Sequence, residues 1–296
     1  MRDAFYGFHP VVNFTYFLAV LLFSMFFMHP VFLVISAVSA TLYSVYLKGA
    51  KAAAFSVKVV LPMLLLAAVV NPAFNHQGVT ILTYLPSGNP LTLESIIYGI
   101  AAAFMLASVI QWFSCYNEVM TSDKFVYLFG RVIPALSLVL SMTLRFVPKF
   151  KAQLAVVKNA QRCIGRDVST GSNLQRLKNA VRILSIMITW ALENAVETAD
   201  SMKSRGYGLP GRSAFSIYRF EKRDGAALGI TLALSAYVIA GKILGAIDWV
   251  YYPVMSGFTA DVFTVSVCCA YGGLCLLPLI LNIKEDVKWK RLQSEI

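Results

Sequence analysis

The sequence predicts an all-α integral membrane protein, with about six transmembrane helices and a cytoplasmic module of long amphipathic helices. Three observations support this fold class. Hydrophobic residues make up 58% of the 296 residues, whereas soluble domains contain about 45–50% by a similar count. Apolar runs of about 20 residues, the length needed to cross a bilayer, recur along the chain. The excess positive charge is confined to one polar segment.

Six apolar runs are predicted to span the membrane. Short polar breaks separate them, such as the turn at His29-Pro30 between the first two. The predicted spans are Val11–Met28, Val31–Leu47, Ala52–Val70, Leu93–Phe113, Ala226–Ile247 and Val262–Leu281. We therefore expect four parts: transmembrane helices 1–4 in 1–113, a cytoplasmic or interfacial module in 114–224, helices 5–6 in 225–283, and a cytoplasmic tail in 284–296.

The positions of Lys and Arg predict the orientation. With the N-terminus inside, 25 of the 26 Lys and Arg residues fall at or near the cytoplasmic side, and only Lys242 falls near the outside. Cytoplasmic loops carry such an excess of positive charge. We therefore expect a multi-pass protein of the cell membrane with both termini in the cytoplasm. The outer connection Asn71–Thr92 lacks Lys and Arg, and its alternating pattern predicts a short hairpin or extended loop that caps the bundle.

The segment 124–223 is polar but keeps helical periodicity. It holds 17 of the 26 basic residues but five of the 15 acidic ones, which gives it a net charge of +12. Pro134 and Pro148 are expected to divide its first part, since proline is disfavoured inside helices. We interpret Phe125–Val147 as one or two helices in the interface or packed under the bundle, with a seventh span as the alternative.

Two long amphipathic helices are predicted to follow, at Lys149–Arg166 and at about Leu174–Ser204, with Asn173 as the N-cap of the second. An acidic ridge of Glu193, Glu197 and Asp200 lies on one face of the second helix. The ridge either faces the basic ridge of the first helix or is solvated. One further face is apolar and contains Leu174, Leu177, Val181, Leu184, Ile188, Leu192, Ala195, Ala199 and Met202.

Both helices end in the same way, with basic residues next to a glycine. The first ends at Arg162-Cys163-Ile164-Gly165-Arg166 and the second at Lys203-Ser204-Arg205-Gly206. Glycine after a helix adopts the left-handed conformation that closes it, and cations there complement the helix dipole. Ordinary capping explains each end alone. The pairing of two such tips also suits an acidic groove on a partner, because arginine offers a planar charged fork.

These residues resemble the T component of energy-coupling factor (ECF) transporters, a family related to the membrane subunit of cobalt and nickel importers. That family has two Ala-Arg-Gly motifs at the ends of long coupling helices. Ser204-Arg205-Gly206-Tyr207-Gly208 is similar to the second motif, with Ser for Ala. In Ala160-Gln161-Arg162-Cys163-Ile164-Gly165, Ile164 replaces the first motif's arginine, and Arg162 and Arg166 flank it. His9-Pro10 and the stretch Asn89–Ser95 also look familial.

The resemblance implies a non-catalytic coupling subunit. Its expected partners are the lipid bilayer, two cytoplasmic ABC ATPases and a membrane S component that binds a vitamin or metal ion. The implied ATPase-coupling residues are Arg162, Gly165, Arg166, Ser204, Arg205 and Gly206. ATP would be bound by the partner subunits, so that no cofactor, metal or nucleic acid is expected on this chain.

The residues themselves give little sign of catalysis. The sequence has no Gly-x4-Gly-Lys-Ser/Thr phosphate loop, no HExxH and no GxSxG, which are common signatures of nucleotide, zinc and serine-hydrolase chemistry. Two alternatives stay open: a membrane-anchored lipid-binding protein, and a membrane enzyme that acts on a lipid substrate. The second would need a polar cluster inside the spans, and none is evident in the sequence.

Overall fold

The computed structural model describes residues 3–55, 57–58, 61–84, 89–130, 134–209, 218–257 and 261–294. The chain forms two compact units. Met1–Lys124 together with Tyr218–Ile296 make up what we call the membrane unit, and Phe125–Ile217 make up the two-helix unit. The fold is that of an all-α membrane protein, as predicted.

The membrane unit begins with a 3-10 turn at Phe5–Gly7. Its helices, in chain order, are α1 (Pro10–Phe26), α2 (Pro30–Lys48), α3 (Ala50–Phe55), α4 (Leu61–Phe74), α5 (Leu93–Val119), α6 (Ser122–Gly130), which continues into the second unit, α9 (Lys222–Ile243) and α10 (Val262–Ser294). Within the described ranges, α2, α5, α9 and α10 have the length and apolar composition of membrane spans, and α1 and α4 are shorter apolar helices.

These six apolar helices correspond to the six predicted spans. The third is described in two pieces, α3 up to Phe55 and α4 from Leu61 to Phe74, and residues 56 and 59–60 between them lie outside the described residues. α5 continues to Val119, six residues beyond the predicted end of the fourth span.

Helix α5 lies at the centre of the membrane unit and packs against α1, α2 and α4, while α10 packs against α2 and α9. Buried aromatic residues fill the core: Phe5, Tyr16, Phe17, Phe32, Tyr43, Trp112 and Tyr271. Their polar atoms are paired inside the core, as burial requires. Trp112 Nε1 donates to Ser36 Oγ at 3.0 Å, and Ser36 Oγ lies 2.7 Å from Ser24 Oγ.

The predicted hairpin in the outer connection is confirmed. Strand β1 (Ile81–Tyr84) pairs antiparallel with β2 (Pro90–Thr92). Most of the expected break at Pro86–Pro90 lies outside the described residues. Glu94 closes the base of the hairpin, because its carboxylate accepts from the Thr80 N–H at 3.2 Å and from the Thr80 hydroxyl at 2.8 Å. The connection is therefore an ordered cap on α5.

The two-helix unit contains α7 (Pro134–Cys163) and α8 (Asn173–Ser204). The prediction that Pro148 ends a helix is wrong, since the 30-residue helix α7 runs through it from Pro134 to Cys163. A proline removes one backbone hydrogen bond, and packing beside it offsets that loss. Phe150 lies edge-on to Trp190 of α8, with ring centroids 5.3 Å apart, and Lys149 Nζ donates to Asn194 Oδ1 at 2.6 Å.

One further prediction about this unit is corrected. Ser172, not Asn173, is the N-cap of α8, because its hydroxyl and the Gln175 side chain form a reciprocal capping box. The Phe125–Val147 stretch supplies the end of α6 and the first half of α7. Within the described residues, neither α6 nor α7 combines the length and the apolar composition of a membrane span.

Candidate functional site: the capped ends of two long helices

The C-terminal end of α7 closes with the two hydrogen bonds of a Schellman motif. The Gly165 N–H donates to Arg162 O at 3.0 Å, and the Arg166 N–H donates to Gln161 O at 2.9 Å. Gly165 has a φ of 75°, a conformation that glycine adopts without the steric cost that a Cβ brings. The predicted glycine cap is confirmed.

The end of α8 has the same pattern. The Gly206 N–H donates to Lys203 O at 3.0 Å, and the Tyr207 N–H donates to Met202 O at 3.0 Å. Gly206 has a φ of 81°, and a Cβ on it would lie 3.2 Å from Leu209 Cδ1. Both the backbone conformation and the tight contact therefore favour glycine here. Pro210-Gly211, noted in the sequence beyond this end, lies outside the described residues.

The matching hydrogen bonds give a position-by-position equivalence between the two ends. Ile164 and Arg205 both stand immediately before the left-handed glycine and immediately after the last residue of their helices, Cys163 and Ser204. Arg162 is equivalent to Lys203, Cys163 to Ser204, and Arg166 to Tyr207. The structure thus agrees with the comparison of the two motifs, which puts Ile164 where the second end has Arg205.

The arginines at the two helix ends differ in whether they form an ion pair. Arg205 and Arg166 are exposed and make no ion pair within the described part of the chain. Arg162 Nε lies 3.6 Å from Asp167 Oδ2. The Ser169 hydroxyl and N–H donate to Asp167 and hold the pKa of its carboxyl below the ordinary value, with Arg162 contributing less. Arg205 therefore has a guanidinium fork available to a partner, whereas Arg162 is partly occupied.

Helix α8 presents its apolar side chains to the outside of its unit. The side that packs on α7 is a different one, formed by Ile183 and Met187 with Trp190, against Val157 and Val168. The large side chains of the predicted apolar face are between 52% and 65% exposed. We call this surface the α8 apolar face: Leu174, Leu177, Val181, Leu184, Ile188 and Leu192.

The acidic ridge of α8 is solvated. Glu193, Glu197 and Asp200 are exposed, and in the described ranges none of them pairs with a basic residue. Of the two alternatives for this ridge, the solvated face is therefore the correct one. Sequence periodicity had identified the faces of α8, but only the position of α7 decides which of them is buried.

Metal-binding geometry is also absent from the described residues, because no group of three or more His, Cys, Asp and Glu side chains is placed to hold an ion. What the two helix ends offer instead is a pair of rigid, glycine-closed tips with basic side chains. Such tips suit binding to acidic surfaces.

Comparison with known proteins gives consistent matches. The model of the family described as CbiQ, cobalt transport protein, matches residues 8–217. The energy-coupling factor transporter transmembrane protein EcfT of Lacticaseibacillus paracasei is 35% identical over 108 residues, 36% of this chain and 41% of the relative. The proteins of the same name from Bacillus selenitireducens and Lactobacillus helveticus are 32% identical over 111 residues and 33% identical over 103 residues. These alignments span about two fifths of the length of each relative: 41%, 41% and 37%.

Proposed function

The chain belongs to the CbiQ cobalt transport protein family as a transmembrane T component of an ECF-type transporter, and we propose that it couples ATP hydrolysis to uptake. In this proposal two cytoplasmic ABC ATPases bind the ends of α7 and α8. Movement of these helices is transmitted to a membrane S component, which carries the vitamin or metal ion. The chain itself is non-catalytic, and ATP is bound by the partner subunits.

The observation that carries the proposal is the matching geometry of the two helix ends. Two ATPases with similar grooves need two similar tips, and α7 and α8 end in the same Schellman pattern at Gly165 and Gly206. We assign ATPase coupling to Arg162, Gly165 and Arg166 at the first tip, and to Ser204, Arg205 and Gly206 at the second. The glycines fix the direction of the chain, and the arginines supply charge.

The α8 apolar face supports a second contact, with the S component. Its six large aliphatic side chains are exposed, and exposed apolar patches of this size mark protein or membrane interaction sites. We propose that the S component packs on this face, while the basic tips serve the ATPases. On α8 the basic residues Arg176, Lys178 and Arg182 are followed by the exposed acidic ridge, and this acidic charge is unfavourable for nucleic acid.

Replacement of Arg205 by Ala tests the coupling role. A charged hydrogen bond at an interface contributes about 1.5–3 kcal/mol, so Arg205→Ala should weaken ATPase association roughly 10- to 150-fold. The measurement is co-purification of the two ATPases with the chain, together with substrate uptake at equal membrane expression. Arg205→Lys should restore part of the association, because a point charge lacks the planar fork.

Arg182→Ala is the matched control, because Arg182 is an exposed arginine in the middle of the same helix. It should leave association and uptake unchanged. Wild-type uptake by Arg205→Ala would refute the coupling role of this tip. Equal, small and salt-sensitive losses in both variants would instead favour binding of anionic lipid.

A further inference from the structure

Residues 3–9, which we call the N-terminal clasp, are held firmly against the membrane unit. The Ala4 N–H donates to Asn282 Oδ1 of α10 at 2.6 Å. The Tyr43 hydroxyl of α2 donates to Asp3 Oδ2 at 2.9 Å, and Asn282 Nδ2 also donates to Asp3. The Phe5 side chain is fully buried in the aromatic core. The clasp is therefore an integral part of the bundle, although it precedes the first apolar helix.

The point at which the chain leaves the membrane unit is tied to this clasp by Lys124. This residue is the last of the unit's first part and is only 2% exposed. Its Nζ donates to Tyr6 O and to Val119 O at 3.1 Å, and it lies 4.0 Å from the Tyr6 ring centroid. When the Asn13 amide is oriented with its oxygen towards Lys124, this oxygen accepts a third hydrogen bond from Lys124 Nζ at 2.9 Å. All three ammonium protons then have acceptors.

The point at which the chain re-enters the membrane unit is tied to the same clasp. The Asp224 carboxylate, 2% exposed, accepts from the His9 N–H at 3.2 Å and from the Glu221 N–H at 2.9 Å. Arg223 donates to Gly7 O at 3.3 Å, and its guanidinium carbon lies 5.2 Å from the Phe8 ring centroid. Lys124 and Asp224, which are far apart in sequence, thus both form hydrogen bonds with the N-terminal clasp.

We call the points at which the chain leaves and re-enters the membrane unit the two roots of the two-helix unit. We propose that the N-terminal clasp fixes both roots to the membrane bundle, with Lys124, Arg223 and Asp224 as positioning residues. Movement of α7 and α8 is then transmitted to the bundle. This inference rests on the proposed coupling function. A buried charged lysine is costly unless it is fully hydrogen-bonded, and the Lys124 site meets that condition. Release of either root should let the helices move without moving the bundle.

The first test is the number of substrate molecules transported per ATP hydrolysed, measured with the chain assembled with its ATPases and S component in vesicles. Lys124→Met and Arg223→Gln should each lower this ratio at least about fivefold, in the range of typical coupling energies, while ATPase association stays at the wild-type level. A merely structural role would reduce the amount of complex, and with it both uptake and hydrolysis, but would leave the ratio unchanged.

Matched controls come from neighbouring basic residues. Lys48 also donates to a backbone carbonyl, that of Ser114 at 3.1 Å. Its polar contacts are with Ser114 and Glu118 of α5 rather than with the clasp, so that Lys48→Met should keep the wild-type ratio. Lys222 is exposed beside Arg223, and Lys222→Gln should keep it too. Arg223→Gln guards against misfolding of the buried-site variant, because the Arg223 side chain is 48% exposed.

Hydrogen–deuterium exchange of the isolated chain tests the clasp without any partner. Lys124→Met should speed exchange not only at residues 3–9 but also at 221–224, because both roots share one segment. A wild-type transport ratio in both root variants, or unchanged exchange at 221–224 in Lys124→Met, would overturn the inference. Failure of the wild-type chain to bind ATPases would instead refute the proposed coupling function, and the inference with it.

Discussion

Arg205 and Ile164 occupy the same position in two helix ends that share one hydrogen-bond pattern, yet they offer a partner different chemistry. Arg205 presents a guanidinium, whereas Ile164 presents an aliphatic side chain that is 59% exposed. The backbone of each tip depends on a single glycine with positive φ, and the identity of the preceding residue decides the charge. An asymmetric pair of tips is therefore expected, in which the α8 tip binds its ATPase more tightly.

Restoring the arginine at the first tip tests this asymmetry. Ile164→Arg should strengthen ATPase association by up to roughly fivefold, since an added exposed ion pair contributes about 0–1 kcal/mol. It should also rescue part of the defect of Arg205→Ala. Association can be measured by titrating labelled ATPase onto the chain in nanodiscs. Cys163→Arg, one residue earlier, is the control, and an equal gain from it would show that the position is not specific.

Lys124 predicts a pH dependence of stability. Burial lowers its pKa from 10.5 to about 8, opposed in part by the Asp3 carboxylate. Between those two values the unfolded chain binds more protons than the folded chain, so raising the pH stabilises the folded state. The apparent unfolding temperature of the wild type should therefore rise relative to that of Lys124→Met above about pH 8. A difference that stays constant from pH 7 to 9.5 would contradict this, and Lys48→Met serves as the control series.

At the scale of the element, the proposed function needs α8 to pack within its unit and to bind a partner with a different face. One side packs on α7 through Ile183, Met187 and Trp190, and the α8 apolar face is left open for a partner. At about 1.5 Å per residue the 32 residues of α8 span roughly 48 Å. The helix is thus long enough to carry a membrane-protein contact along its length and an ATPase contact at its tip.

A charge on the α8 apolar face should separate these two contacts. Burial of a leucine contributes about 1.5–3 kcal/mol, so Leu184→Asp should weaken S-component binding at least about 10-fold. ATPase association should stay unchanged, because the tip is 20 residues away. Thr189→Asp, which puts the same charge on an exposed position about 140° around the helix from Leu184, is the control. Loss of ATPases together with the S component in Leu184→Asp alone would refute the division of roles.

At the scale of the whole molecule, charge and hydropathy are separated along the chain. The segment 124–223 carries a net charge of +12, while the chain as a whole carries +11, so the remainder is nearly neutral. Because positively charged segments stay on the cytoplasmic side, this separation supports an orientation with both termini and the two-helix unit inside. Lys242, near the outer side in this arrangement, is paired with Asp248.

Cysteine labelling tests this orientation. In a background without the five native cysteines, Ser256→Cys should react with an impermeant maleimide added to intact cells, because the proposed orientation places the loop between α9 and α10 outside. Thr170→Cys and Ser294→Cys should react only after permeabilisation. Labelling of Thr170→Cys in intact cells would refute the orientation. The corresponding outer probe near Ser87 lies outside the described residues.

The amino-acid sequence by itself determined the fold class, the six apolar helices, the outer hairpin and the two glycine-closed helix ends. These features depend on local signals: long runs of apolar residues, the helical or strand periodicity of apolar and polar residues, and glycine or proline at fixed positions relative to a helix end. The same local rules failed at Pro148, where packing between α7 and α8 offsets the loss of one hydrogen bond, and at the N-cap of α8, where Ser172 and Asn173 are both good candidates.

Only the tertiary structure decided which side of α8 is buried and how the N-terminal clasp is used. Periodicity shows that a helix has an apolar face, but not whether its neighbour lies on that face or on another. The contacts of the clasp join Tyr6 to Lys124 and His9 to Asp224, pairs separated by 118 and 215 residues. Such pairs leave no local pattern, because their distance in space depends on the packing of every helix between them.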